Sequence, residues 1–269
     1  MAVVYAQPEN PWGALAMSNS MVIEQEMELL EVMTGGAMET ANRYRIYTDN
    51  AGLQFWAMEE SDCCSRQCLA PNHSLVLNVH SINQHGPLLF KIEKPFKCCV
   101  AAIAPPCQKE ATIKLTNDQV VGYIQQPLCG GGFTPTLNIY DHEGGTQVGT
   151  LTGPCLLGSL CSTTFQLSDM NGKNIATFQK KGVSSMGDFV KASLSDADKF
   201  SLDWHQPVDL KLKSIMVGTV LFLDYLFFEG DQAFGTTNPI TRETNCICCN
   251  IYCCGATYPC GCKLKPGEK

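Results

Sequence analysis

Residues 214 to 228 read Ser-Ile-Met-Val-Gly-Thr-Val-Leu-Phe-Leu-Asp-Tyr-Leu-Phe-Phe, the most hydrophobic stretch of the chain, with Asp224 inside it. As a helix it would be roughly 22 Å long at ~1.5 Å per residue, short of the ~30 Å hydrocarbon core that takes ~20 apolar residues. Apolar side chains occupy every side of it, so it cannot lie half exposed on an aqueous surface and needs enclosure by protein or by lipid. Which of the two encloses it decides the fold.

The strands that precede it offer the protein answer. Short β-branched and aromatic runs recur at Leu29 to Met33, Tyr44 to Tyr47, Leu53 to Met58, Leu75 to Val79, Leu88 to Ile92, Thr112 to Leu115, Val120 to Ile124, Leu137 to Tyr140 and Ile175 to Phe178. Turn signals separate them, among them Asp49-Asn50-Ala51-Gly52, Asn117-Asp118, Gly144-Gly145 and Asn171-Gly172. This spacing predicts an antiparallel sandwich or barrel, and a closed barrel best accommodates an apolar rod that open sheets would leave wet. One further helix is expected around Ser184 to Ser193. The predicted organisation is a flexible arm over 1–21, a barrel over 22–229 with its core helix at about 212–228, and a cysteine-rich appended tail over 230–269.

The chain has 269 residues and a net charge of -7, which disfavours general affinity for nucleic acid or anionic membranes through bulk electrostatics. The first twenty residues lack a basic n-region followed by an apolar run, so no secretory signal is expected and a cytoplasmic start is the default. In that compartment the sixteen cysteines read as thiols, metal ligands or acylation sites. There is no G-x-x-x-x-G-K-[ST] phosphate loop, G-x-S-x-G elbow or H-E-x-x-H helix in the sequence, which disfavours ATP-coupled transport and hydrolytic catalysis.

Several segments, in order, resemble the phospholipid scramblase family: Met27 to Tyr44, Asp62 to Cys68, Phe90 to Cys99, Gly122-Tyr123-Ile124, Gly153-Pro154-Cys155, Ser195 to Leu202 and Asp209 to Glu229. The resemblance covers roughly Val22 to Glu229. It implies a tubby-like fold, a mainly β, twelve-stranded closed antiparallel barrel around a C-terminal hydrophobic helix. It also implies calcium-stimulated, bidirectional movement of phospholipids between leaflets; with no phosphate loop that movement is expected to be ATP-independent, and the expected location is the cytoplasmic face of the plasma membrane. The expected partners are anionic phospholipids and, since one short helix makes no polar path, further copies of the chain.

The family's calcium segment falls on Asp196, Asp198, Phe200 and Leu202, closed by Asp209. Carboxylates at alternate positions suit a hard cation that takes six to eight oxygens, whereas Lys199 opposes it; the alternative is a solvated turn or helix cap. Any Ca2+ bound there would be held weakly. Cys98, Cys99 and Cys107 follow Lys91, Lys94 and Lys97, a basic stretch beside thiols that suits palmitoylation, the alternative being a loop with buried thiols. Cys248, Cys249, Cys253 and Cys254 in the tail offer a second acylation anchor or, alternatively, zinc ligands. Asp224 is either a polar foothold for a crossing headgroup or a buried carboxylate with a protein partner.

Overall fold

In the computed structural model the described residues are 11–26, 40–69, 72–99, 102–157, 163–180, 199–228 and 244–264. The expected strand at Leu29 to Met33 and helix at Ser184 to Ser193 lie outside them.

Twelve strands close into one antiparallel barrel: β1 (Ser20–Glu26), β2 (Arg43–Thr48), β3 (Gly52–Glu60), β4 (Leu75–Ser81), β5 (Leu88–Lys94), β6 (Glu110–Leu115), β7 (Val120–Gln125), β8 (Thr136–Tyr140), β9 (Gln147–Thr152), β11 (Thr163–Ser168), β12 (Asn174–Lys180) and β13 (Lys199–Trp204). The two-residue β10 (Leu156–Leu157) lies outside the wall and pairs with β14 (Thr244–Cys253), which forms a hairpin with β15 (Ala256–Leu264). Several wall strands alternate buried with outward residues. In β4, Leu75, Leu77 and Val79 point inward, and in β11 Phe165 and Leu167 do the same. Closure comes from β1 pairing with β13, so no strand of the wall has an open edge.

The rod is helix α3 (Leu210–Leu223), continued by a π turn over Asp224–Phe228. It fills the barrel: every residue from Lys213 to Tyr225 is buried. Its serine and threonine hydroxyls bond to the preceding turn, Ser214 Oγ donating to Leu210 O at 2.9 Å and Thr219 Oγ1 to Ile215 O at 2.8 Å. Gly122 and Gly218 set the fit. A Cβ at Gly122 would stand 2.5 Å from Ile215 Cγ1, and one at Gly218 2.9 Å from Ile113 Cδ1. Among the described residues no helix is long and apolar enough to cross a membrane.

The two barrel ends differ. Connections of three to six residues join the wall strands at the end where α3 enters, and connections of ten to eighteen residues join them at the end where it leaves. Helix α1 (Pro11–Met17) sits at the entry end, expected to be flexible but folded because Ala14 and Leu15 are buried and Trp12 stacks on Phe90. The tail likewise is tied in: Tyr252 of β14 is fully buried and meets Phe227 edge to face at 5.4 Å.

Candidate functional site

Among the described residues every cysteine falls either in a connection at the exit end of the barrel or in the tail beyond α3, and none lies in a wall strand or in an entry-end turn. The exit end is therefore the chemically distinctive part of the molecule, and it is also where the polar end of the rod emerges.

Asp224 lies just inside that rim, 2 % exposed, and accepts a hydrogen bond from Tyr44 Oη at 2.6 Å. One residue on, Tyr225 Oη donates to Glu59 Oε2 at 2.9 Å. Glu59 also accepts from the Asn42 backbone N–H at 2.9 Å, from Ser61 Oγ and from His73 Nε2 at 3.2 Å, with Arg66 Nη1 3.8 Å away. Burial pushes the Glu59 carboxyl upward, but the donors from His73, Ser61, Asn42 and Tyr225 outweigh it and hold the group down at about 2. Arg66 is positioned by α2 (Cys63–Leu69), a helix capped by Asp62, whose carboxylate accepts from Ser65 N at 2.7 Å. The cluster thus locks the helix terminus to β2, β3 and the connection after α2. Sequence reading picks out Asp224 alone among these residues; Tyr225, a second polar side chain in an apolar run, was the available signal for the rest.

The calcium candidates divide. Asp196 and Asp198 lie outside the described residues. Phe200 and Leu202 point into the core from β13, and their backbone is shared between the ladders to β1 and β12. Asp209 lies beyond the opposite end of β13, past Trp204, and five steps of ~3.3 Å make that strand roughly 17 Å long. There its carboxylate caps α3, accepting from Leu212 N at 2.7 Å. Among the described candidates, Phe200 and Leu202 are not brought together with Asp209. Replacing Asp209 by alanine is expected to cost about 1 kcal/mol in urea unfolding, and replacing it by serine far less.

The cysteine candidates also divide. Cys99 and Cys107 are joined in a disulfide, where free thiols are the expectation, which leaves Cys98 exposed and free beside them. The lysines that precede them are engaged: Lys91 with Asp118 at 2.6 Å, Lys97 with Glu110 at 2.8 Å, and Lys94, buried, with the His73 carbonyl. Lys109 is held by Asn72 Oδ1 and the Cys99 carbonyl, and burial followed by the nearby charge of Lys97 lowers it to about 8. Cys253 and Cys254 are half-buried at the tip of the tail hairpin; Cys248 and Cys249 lie in β14, and their side chains are outside the described set. At the entry end Lys213 is also occupied, donating to the carbonyls of Ala16 and Ser18 at 2.6 Å each.

Among known proteins, the chain is 30% identical over 218 residues to mouse phospholipid scramblase 1, covering 80% of this chain and 62% of that protein. It is 28% identical to human phospholipid scramblase 1 (80% and 64%) and 28% identical to bovine phospholipid scramblase 2 (80% and 70%). The chain thus spans a little over three-fifths of the length of the scramblase 1 proteins it matches. No solved structure matches. The Scramblase family model matches residues 1–230, from α1 through the barrel and its rod and stopping before the tail hairpin, and the chain belongs to that family.

Proposed function

We propose that this protein associates with phospholipid membranes at the cytoplasmic face of the plasma membrane and moves phospholipids between leaflets in both directions. The observation that carries this reading is the Scramblase match across the whole barrel, with curated relatives named phospholipid scramblases. A headgroup resists crossing hydrocarbon because its charges lose their water there, and a scramblase lowers that barrier with a polar path. With no phosphate-loop motif in the sequence, movement runs downhill and erases asymmetry. One enclosed helix makes no such path, so transport works through oligomers or local thinning of the bilayer.

Calcium stimulation is part of the proposal and rests on the Asp196-Ala197-Asp198 carboxylates, with Asp209 assigned to the helix cap. Acylation is proposed at exposed Cys98 and in the tail. Loss of membrane association on hydroxylamine treatment supports it, and unchanged association contradicts it.

The enclosed rod favours one second reading, a peripheral acylated lipid-binding module whose helix never leaves the barrel. Purified protein in liposomes separates the two. Under the first, labelled lipid flips faster than in protein-free vesicles, calcium raises the rate, and the Asp196→Ala, Asp198→Ala double variant loses the calcium response while Asp209→Asn keeps it. Flipping at the protein-free rate with calcium present would overturn transport and leave the module.

A further inference from the structure

Four segments at the exit end, 98–108, 126–135, 153–157 and 244–262, contain no Asp, Glu, Lys or Arg at all. They are far apart in sequence but form one cap. Ala102 N donates to Cys254 O at 2.9 Å, Cys129 N to Ala102 O at 2.7 Å, Cys254 N to Gly132 O at 2.8 Å and Tyr252 N to Cys155 O at 2.8 Å. Tyr252 Oη donates to Gly130 O at 2.7 Å, and Leu156 and Leu157 pair with Ile251 and Asn250. Out of this uncharged cap stand Ile103 (66 % exposed), Phe133 (65 %), Leu156, Leu128 and Tyr258. The exposed thiols of Cys98, Cys129, Cys155 and Cys260 share it.

The barrel wall is built differently. Its outer face carries ion pairs such as Lys91 with Asp118, Lys114 with Glu93 and Lys199 with Glu24. A surface that gathers large apolar side chains and excludes every formal charge is costly in water and marks a contact site. Its neutrality also selects the partner. The cations Lys97 and Lys109 that border the cap are held within the protein, by Glu110 and by Asn72 with the Cys99 carbonyl, so an anionic headgroup layer finds little there to pair with, and a chain of net charge -7 is repelled by it. The interfacial zone of a bilayer instead takes up Phe, Leu, Ile and the ring of Tyr through burial alone.

We infer that the exit-end cap, including the tail hairpin that lies beyond the family match, is the membrane-docking face, and that it docks by apolar insertion into the bilayer interface. This rests on the membrane reading above and adds to it a face, an orientation and a driving force. The barrel stands on the bilayer with the C-terminal end of α3 toward the lipid and the short turns away from it. The rod stays inside.

The test uses the full chain, made without acylating enzymes, and vesicles of phosphatidylcholine alone or enriched in phosphatidylserine. The protein is expected to cosediment with the neutral vesicles, with affinity changing less than about twofold between low and high salt. The Leu128→Asp, Phe133→Asp double variant should bind about tenfold more weakly or worse, while Met170→Asp at the exposed entry end binds as the parent does. Because Leu128 and Phe133 are solvent-exposed, unfolding midpoints of all three proteins should agree. Binding only to phosphatidylserine vesicles and abolished by salt would overturn the proposal while leaving the membrane reading intact. Vesicle binding equal for the double variant and the parent would also overturn it. A soluble dimer that the double variant dissociates, with no vesicle binding by the parent, would assign the cap to self-association instead. Absence of binding to any vesicle, acylated or not, would remove the membrane reading itself.

Discussion

Replacing Leu221 by alanine is expected to lower the unfolding free energy in aqueous buffer by about 2 to 5 kcal/mol. Leu221 is 0 % exposed, on a rod whose neighbours Val220, Phe222 and Leu223 are equally enclosed. The barrel around it is a closed ladder and relaxes little, so the loss combines the transfer energy of the removed methyl groups with the void they leave. The opposite change, Gly218→Leu, is expected to cost about 1 to 3 kcal/mol, because its Cβ would already stand 3.0 Å from Ile113 Cγ1. Denaturant melts measure both. A rod that merely rested on the barrel, or awaited lipid, would tolerate either substitution with little change.

The second large effect is expected at Glu59. Its carboxyl titrates near 2 in the folded protein, against an ordinary value near 4.5. A depressed carboxyl stabilises the fold fully above its unfolded pKa and loses that contribution as pH falls through its folded one. The difference corresponds to about 3 kcal/mol, present above pH ~4.5 and gone near pH ~2. Glu59→Gln should therefore cost stability at pH 6 and approach the parent's stability near pH 2, a convergence that urea melts at several pH values will show. A constant gap between the two proteins across that range would place the stabilising donors elsewhere than on the Glu59 carboxylate. The physical consequence is a helix terminus whose attachment to the rim weakens only in strong acid.

The rod and the strand-rich wall were legible in the chain because each rests on a local signal. Apolar residues on all sides of residues 214 to 228 demand a container, and alternating runs such as Leu75 to Val79 announce the wall that supplies it. Groups that act only through distant partners left less, Tyr225 showing only as a polar side chain in an apolar run. Glu59, His73, Asn42 and Tyr225 meet because strands β2 and β3, the connection after α2 and the rod end at one rim. Asp209 reads as a metal candidate in the sequence, but β13 carries it away from Phe200 and Leu202 and leaves its oxygen facing the first turn of α3. Tyr252 was masked by the cysteines around it, although it is the residue that anchors the tail hairpin to Phe227. The basic stretch before Cys98 illustrates the same difficulty: its lysines are partnered within the protein, and the uncharged segments that face outward beside them carry no motif.

The most direct examination of the enclosed rod is to bind the full protein to vesicles containing a phosphatidylcholine with a photoreactive group in its acyl chain, irradiate, and map the labelled peptides by mass spectrometry. A rod that stays within the wall predicts no label between Ile215 and Leu223. Label distributed along those residues would mean that the helix leaves the barrel for the hydrocarbon, and the enclosed architecture would not be the membrane-bound one.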